Sequence, residues 1–518
     1  MILVPLLLLG ACAGTREGPR RDDVPPATAD PPSCTLVEDT TESAPPAGCG
    51  TLEWVIQIAG WSTDDVVGME LAPDGGIVIA GTYDREMVFD YGGAAPVTLA
   101  EYCPFVSDEV FLAKYRTDGT LVWTARAGAC SYMFVRALTI APDGDILIAG
   151  THDGGAPTFG VDDAAPVVLP EPEPTGGGLF VARYSPDGEL RWVRSALSSS
   201  FRGDVAGVAV DAAGNTYVTG TYEQNLVLSP GTSEELTLTA TPLEDIIVGN
   251  IDMWVASYDA AGGLRWAVTE GSEEEGEFGT SIIATASGIV AGAGISGPVT
   301  FGLESPNPTL LAGRLAGSAP FVRYSSTEGG FLGAAMKPGG SIQEMVLTGA
   351  DTLLTTANLT NIPGTFGPGE PGETVRTSVG LYLAEYRSDG TLVSVTPEEG
   401  RLHGVAPLAL AWRDGRSGVA GSFYETMTPG TGTPVQGVGY RDGFAATWNA
   451  DGLVECIWTM GSVIGDDYAR AITFDADGGV VVAGTFRRPL LLEEGKPERR
   501  ELVPNNDSTD VFLARFHP

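Results

Sequence analysis

One unit recurs along almost the whole chain, and the two ends of the chain share a single copy of it. Read from Val135, the sequence runs Val-Arg-Ala-Leu-Thr-Ile-Ala-Pro-Asp-Gly and Asp-Ile-Leu-Ile-Ala-Gly-Thr. After a gap come Leu-Phe-Val-Ala-Arg-Tyr-Ser-Pro-Asp-Gly and Glu-Leu-Arg-Trp-Val-Arg. Each piece reads as a strand of five to seven residues, rich in Val, Ile, Tyr and Trp, and Asp-Gly pairs that tolerate positive φ join them as hairpins. No segment sustains the 3.6-residue apolar period of a helix. The second-strand marker returns at Gly81-Thr82, Gly150-Thr151, Gly220-Thr221, Gly292-Ala293, Ala357-Asn358, Gly421-Ser422 and Gly484-Thr485, in steps of 63 to 72 residues.

The second hairpin returns from Phe111 to Trp123, Phe180 to Trp192, Trp254 to Trp266, Phe321 to Met336, Tyr382 to Val395 and Phe444 to Trp458. The seventh copy is divided. Its first strand is the C-terminal Asp510 to Pro518, and its partner stands at the other end as Gly50 to Ile58. Neither a linear solenoid nor a pair of sandwiches has reason to split one hairpin between its termini. A ring does, because pairing the ends removes an open sheet edge. The expected fold is therefore all-β: a seven-bladed β-propeller over residues 50–518, with ring closure between the N-terminal and C-terminal strands.

The repeat resembles the bacterial SBBP-type β-propeller repeat, on Phe-Leu-Ala-Lys-Tyr-x-x-Asp-Gly-Thr-Leu-x-Trp (111 to 123) and Asp-Asp-Tyr-Ala-Arg-Ala-Ile-Thr-Phe-Asp-Ala-Asp-Gly (466 to 478). The resemblance covers nearly everything after residue 50. It implies a propeller and carries no catalytic residues. The fourth and fifth copies are the most degenerate.

The first residues form an apolar run too short to span a bilayer, and residues 1–11 read as a signal peptide. Leu9-Gly10-Ala11-Cys12 resembles the bacterial lipobox, which implies a lipid on Cys12, although no Lys or Arg precedes the run. Residues 12–49, the lipidated Cys and a disordered tether, hold Pro19, Pro25, Pro26, Pro31, Pro32, Pro45 and Pro46. As a flexible coil this segment spans about 35 Å. Cys34 and Cys49 are candidates to close a small disulfide loop in it. The expected location is the bacterial cell envelope, lipid-anchored at the outer membrane or cell surface, with the chain a monomer.

Charge excludes one class of partner. The 518 residues hold 29 Lys plus Arg against 67 Asp plus Glu, a formal net charge of -38, so no basic surface is available for nucleic acid. The 70 glycines serve as turn punctuation, since 43 % hydrophobic residues argue against disorder. If the segments like Leu138-Thr-Ile are innermost, the Asp-Gly hairpins share one face. The opposite face then receives the long excursions between second and third strands, together with the links between repeats, and long loops on a rigid scaffold are where binding sites are built. Phe89, Phe159, Phe301 and Phe366 in the excursions are expected to pack on the blades. Cys103 and Cys130 fall on this same face and are expected to be disulfide-bonded; Cys456 is expected to be a buried thiol.

The links carry carboxylates: Asp64, Asp65, Asp204, Glu274, Glu277, Glu344, Asp466 and Asp467. A ring of them is a candidate cation or ligand face, and calcium is the cation such oxygens would take. The competing reading is turn capping and solvated surface. Other patterns fail on context. Gly292-Ala-Gly-Ile-Ser-Gly297 lies in a β hairpin with no helix to receive a pyrophosphate. The Arg202-Gly203-Asp204 tripeptide is short enough to be accidental. His152, His403 and His517 sit in different repeats, and no nucleophile elbow exists. The expected function is a non-catalytic binding or interaction scaffold, with a protein or glycan ligand on its long-loop face. The alternative is a polysaccharide hydrolase or lyase using channel-mouth carboxylates.

Overall fold

A computed structural model describes residues 49–104, 108–241, 251–272, 276–295, 297–311, 319–338, 344–430, 432–492, 500–506 and 508–517, all within the unit Ser43–Pro518. The fold is all-β: among the described residues the one helical element is a single 3-10 turn, Glu398–Gly400. Consecutive strands pair antiparallel. The second repeat shows the plan, from inner to outer strand: Met133–Ile140, Ile146–His152, Gly177–Tyr184 and Leu190–Ser198. The other inner strands are Asp65–Leu71, Asp204–Val210, Glu277–Thr285, Met345–Gly349, Leu402–Arg413 and Tyr468–Phe474.

The divided copy is assembled from both ends. Leu52–Gly60 lies antiparallel to Asp510–Phe516, with Val55 opposite Ala514 and Ile58 opposite Val511, and completes the sheet begun by Tyr468–Phe474 and Val480–Phe486.

Local chemistry explains the recurrent residues. In Pro142-Asp143-Gly144-Asp145, Gly144 takes φ of +88° and donates its N–H to the Ala141 carbonyl at 2.8 Å, while Asp143 Oδ1 accepts from the Asp145 N–H at 3.1 Å. The glycine of the Gly-Thr marker answers a different need. Opposite it the inner strand carries a bulge, and a Cβ built on Gly150 would lie 2.0 Å from the Phe134 carbonyl oxygen; Gly81, Gly220 and Gly484 meet the same obstacle.

The apolar cores lie between neighbouring repeats. Leu112 and Val135 belong to one cluster, Leu179 and Val218 to the next, and Val481 and Leu513 pack with Ile77 and Phe111 across the two ends of the repeat array. Tryptophan adds a hydrogen bond to five of the junctions. Trp123, Trp192 and Trp54 donate Nε1–H at 3.0 Å to the carbonyls of Pro186, Ala260 and Thr117, each in the third-to-fourth-strand turn of the following repeat. Trp458 makes the same bond at 2.9 Å to Gly50, where that turn is broken by the chain ends. The recurrent tryptophans are thus junction residues.

The excursions fold back as hairpins, and Phe89, Phe159, Phe301 and Phe366 are fully buried. Their partner strand is not legible in the sequence. Met87–Phe89, Thr158–Phe159, Asn225–Leu228 and Leu490–Leu492 each pair with the outer strand of the preceding repeat, extending its sheet and covering its edge. In the sixth repeat the excursion instead prolongs the second and third strands into 14-residue arms, Arg416–Pro429 and Val435–Trp448.

Gly150→Ala is expected to lower the unfolding free energy by about 1–3 kcal/mol in chemical denaturation, whereas Gly154→Ala, with its nearest neighbour at 3.4 Å, is expected to change it little. Equal midpoints for the two variants would refute the bulge explanation.

Candidate functional site

The links between repeats hold the carboxylates that the sequence singles out, and the structure divides them by role. Glu277 and Asp467 are fully buried and perform one task. Each accepts from the backbone N–H and the hydroxyl of a serine five residues earlier: Ser272 at 3.0 and 2.8 Å, Ser462 at 2.7 and 2.6 Å. They tie down the link. Burial nevertheless pushes the Asp467 carboxyl up to about 7 against those bonds. Asp64 is also fully buried; burial first, and the Asp510 charge second, raise its carboxyl well above the usual range.

Asp204 pairs with Arg136 of the preceding inner strand at 3.2 Å, and Asp65 with Arg470 at 3.3 Å. Arg202 approaches Glu223 at 3.9 Å, so both charges of the Arg202-Gly203-Asp204 tripeptide already face partners. Glu274, Cys12, Cys34 and residues 1–48, which include the expected signal peptide and most of the expected tether, lie outside the described residues. Among the described residues, no three His, Cys, Asp or Glu side chains converge so as to hold a metal ion.

Asp64, Asp65 and Asp466 do share a cavity. It has a volume of about 620 Å³ and lies where the links of the seventh and first repeats meet. Its wall is not uniformly acidic: Arg470, Arg487 and Arg488 face it, with Tyr440, Tyr468 and Ile464. Tyr440 and Ile464 are 66 % and 73 % exposed, large apolar groups left at a rim. The guanidinium of Arg470 stands 4.7 Å from the centre of the Tyr468 ring, and that of Arg441 4.2 Å from the centre of Tyr424. Tyr424 in turn meets Tyr440 edge-on at 5.3 Å. Planar cations backed by aromatic rings suit a ligand that offers both an anionic group and an apolar face. The arginines come from the inner strand and the start of the excursion of one repeat, a grouping that a linear reading of the carboxylates missed. The Arg487-Arg488 pair, one residue after the Gly484-Thr485 marker, was the available signal.

A second cavity, of about 510 Å³, is lined by the inner strands, Met69, Leu138, Val208, Ile282, Val346, Leu410 and Ile472 among their residues. Two carboxyls face it. Burial raises Glu70 to about 7, and raises Glu344 to about 8 with help from the Glu70 charge; Glu344 also accepts the Leu410 N–H. Glu344 was a candidate from the sequence, whereas Glu70 was missed. Its register position is held by Thr139, Ala209 and Thr473 in other repeats, and a carboxylate replacing small side chains was the clue.

Cys103 and Cys130 are bonded, with Cα atoms 5.3 Å apart, and join the first excursion to the link after that repeat. The same excursion is held by Glu109, which accepts from Tyr83 Oη at 2.7 Å and from the Tyr102 N–H at 2.6 Å.

No family model matches the chain. An uncharacterized WD repeat-containing protein of Acanthamoeba polyphaga mimivirus is 24 % identical over 230 residues, which is 43 % of this chain; the match spans 15 % of the length of that relative. Among solved structures, the C-terminal WD40 domain of Sif2 superposes with a TM-score of 0.36 and 10 % identity, over 89 % of this chain and 99 % of that one. The Neurospora crassa Pan2 WD40 domain gives 0.39 and 8 %, over 87 % and 89 %. A chain of the mitotic checkpoint complex gives 0.40 and 8 %, over 92 % and 98 %.

The carboxyls of this second cavity make stability depend on pH. A carboxyl of 4.5 in the unfolded chain that rises to about 8 when folded imposes no penalty below pH 4.5. Between the two values the folded state binds more protons, so stability falls as pH rises, by at most about 1.4 kcal/mol per pH unit for each group. Glu344→Gln is expected to flatten the fall in denaturation midpoint between pH 5 and 8. An unchanged slope would show that Glu344 ionises as freely folded as unfolded.

Proposed function

We propose that this chain is an exported, lipid-anchored, seven-bladed β-propeller, closed by its own termini, which serves as a non-catalytic binding scaffold through its long-loop face. The ring is supported by the pairing of Leu52–Gly60 with Asp510–Phe516, by inner strands of every repeat lining one cavity, and by the core shared across the chain ends. The likeness to the SBBP-type repeat and the lipobox-like Leu9-Gly10-Ala11-Cys12 belong to the same proposal. Replacing Cys12 by Ser is expected to move the protein from the membrane pellet to the soluble fraction; retention in the pellet would remove the anchor from the reading.

The observation that carries the binding function is the arginine- and tyrosine-lined cavity on the long-loop face. In a protein of net charge -38, Arg487 and Arg488, beside an Arg470 that pairs with Asp65, favour an anionic ligand at this opening, and the tyrosines favour a protein or glycan over a bare ion. Arrays of uronic-acid oligosaccharides and acidic peptides, probed with the full chain, test it. A binder that loses tenfold or more affinity on Arg487→Glu with Arg488→Glu supports the site; binding that ignores both changes removes it.

A second reading, hydrolysis or elimination of a polysaccharide, draws on one observation: Glu344, which burial raises to about 8, faces the same cavity as Glu70. Such a pair has the form of a general acid with a carboxylate partner. Turnover of a polysaccharide panel by the native chain, abolished by Glu344→Gln, would favour this reading over the scaffold.

A further inference from the structure

Cys49 and Cys456 meet beside the strand that joins the two ends of the chain. Cys49 is half-buried and packs against the core cluster that contains Cys456, which is 5 % exposed. The Cys49 thiol lies 3.9 Å from the carbonyl of Glu455 and in hydrogen-bonding contact with the Cys456 thiol. The backbone there is fixed independently, because Trp458 Nε1–H donates to the Gly50 carbonyl at 2.9 Å and the His517 N–H donates to Thr51 at 2.9 Å. Two thiols are therefore held together by tryptophan and strand contacts that need no sulfur chemistry. Cys103–Cys130 shows that a disulfide is already part of this fold.

We propose that Cys49 and Cys456 form a second disulfide, stapling the residues just before the closing strand to Val454–Gly461, the outer strand of the sixth repeat. The oxidant is a disulfide of the glutathione or thiol-oxidoreductase class. The Cys49 thiolate, the more accessible of the two, attacks one sulfur of that disulfide and expels the other as a thiolate. The Cys456 thiolate then attacks Cys49 Sγ in the mixed disulfide and expels the second donor sulfur. Two cysteine thiols are oxidised, the donor disulfide becomes two thiols, and the two protons pass to the donor sulfurs. The Cys49 thiol and burial together push the Cys456 thiol up, which makes Cys49 the first attacker and Cys456 the resolving group. The bond would form only after the termini have met, since Cys49 and Glu455 are 406 residues apart in sequence. Cys49 is then unavailable for the small tether loop with Cys34.

The test uses the full chain, reduced and then equilibrated in a reduced and oxidised glutathione buffer, so its outcome does not depend on export. Alkylation followed by non-reducing peptide mapping should yield one linked peptide pair containing Cys49 and Cys456, with Cys34 alkylated. Cys34→Ser should leave that pair intact. Cys456→Ser should abolish it and return Cys49 to alkylation, with the retained Cys103–Cys130 link reporting that the variant folds. Recovery of a Cys34–Cys49 pair would overturn the assignment. So would alkylation of both Cys49 and Cys456 in protein whose Cys103–Cys130 bond is oxidised.

Discussion

The pairing of Leu52–Gly60 with Asp510–Phe516 is the contact on which the other junctions depend. Each repeat buries its apolar faces only against its neighbours, so an unpaired end would expose a sheet edge and half of a core. The cluster of Ile56, Ile58, Ile77, Phe111, Val481 and Leu513 cannot form unless Leu52–Gly60 is in place. At about 1.5–3 kcal/mol for each large side chain removed from water, the burial in that cluster is comparable with the net stability of a whole domain. The contact is also the most distant in sequence. Its loop-closure cost is met only once the intervening repeats have stacked, which makes late assembly of this seam the natural order of events.

The junctions show how one interaction is conserved in kind while its chemistry changes. Where a repeat supplies tryptophan, the indole spans to the next repeat's turn carbonyl. The fourth repeat has no tryptophan at that place. There Lys337 donates to the Gly390 carbonyl and lies 4.4 Å from the centre of the Tyr386 ring, with burial lowering its ammonium to about 8. A buried cation replaces an indole N–H, and the same turn is reached. Third-strand cations act within the repeat as well: Arg183 bonds Asp145 and Asp143 at 2.8 Å and also the Gly214 carbonyl of the next repeat at 2.9 Å.

This explains what the sequence could and could not reveal. Strand order, turn positions and the divided copy were legible because each depends on residues a few positions apart: Asp-Gly for positive φ, Gly-Thr for the bulge, alternating Val and Ile for the strands. The fourth copy is hard to bound because Gly333 stands at the register position that holds Trp in other repeats, and Lys337, four residues further on, reaches the turn in its stead. The packing of the excursion aromatics is legible in the sequence, whereas the pairing of the excursion hairpins with the preceding repeat is not, since the edge they cover is defined only when repeats stand side by side. The candidate carboxylates mixed two populations. Asp467 and Glu277 read as exposed link residues, yet a serine five positions earlier turns each inward, and such a bond has no signature in composition.

Acidity takes on a different meaning once those residues are placed. Glu70, Glu270, Glu344 and Asp467 are raised by burial to values of about 7 or 8, so a formal charge that counts them all as ionised overstates the negative field near neutral pH. What remains on the surface is screened over about 8 Å at physiological salt. Arg470, Arg487 and Arg488 face one cavity together, inside that distance of anything the cavity holds. A ligand approaching from afar meets net repulsion, and one already at the rim meets guanidinium groups and tyrosine rings. For the anionic ligand proposed at this face, selection would operate at contact range, beside Tyr440 and Tyr468, and not through long-range steering.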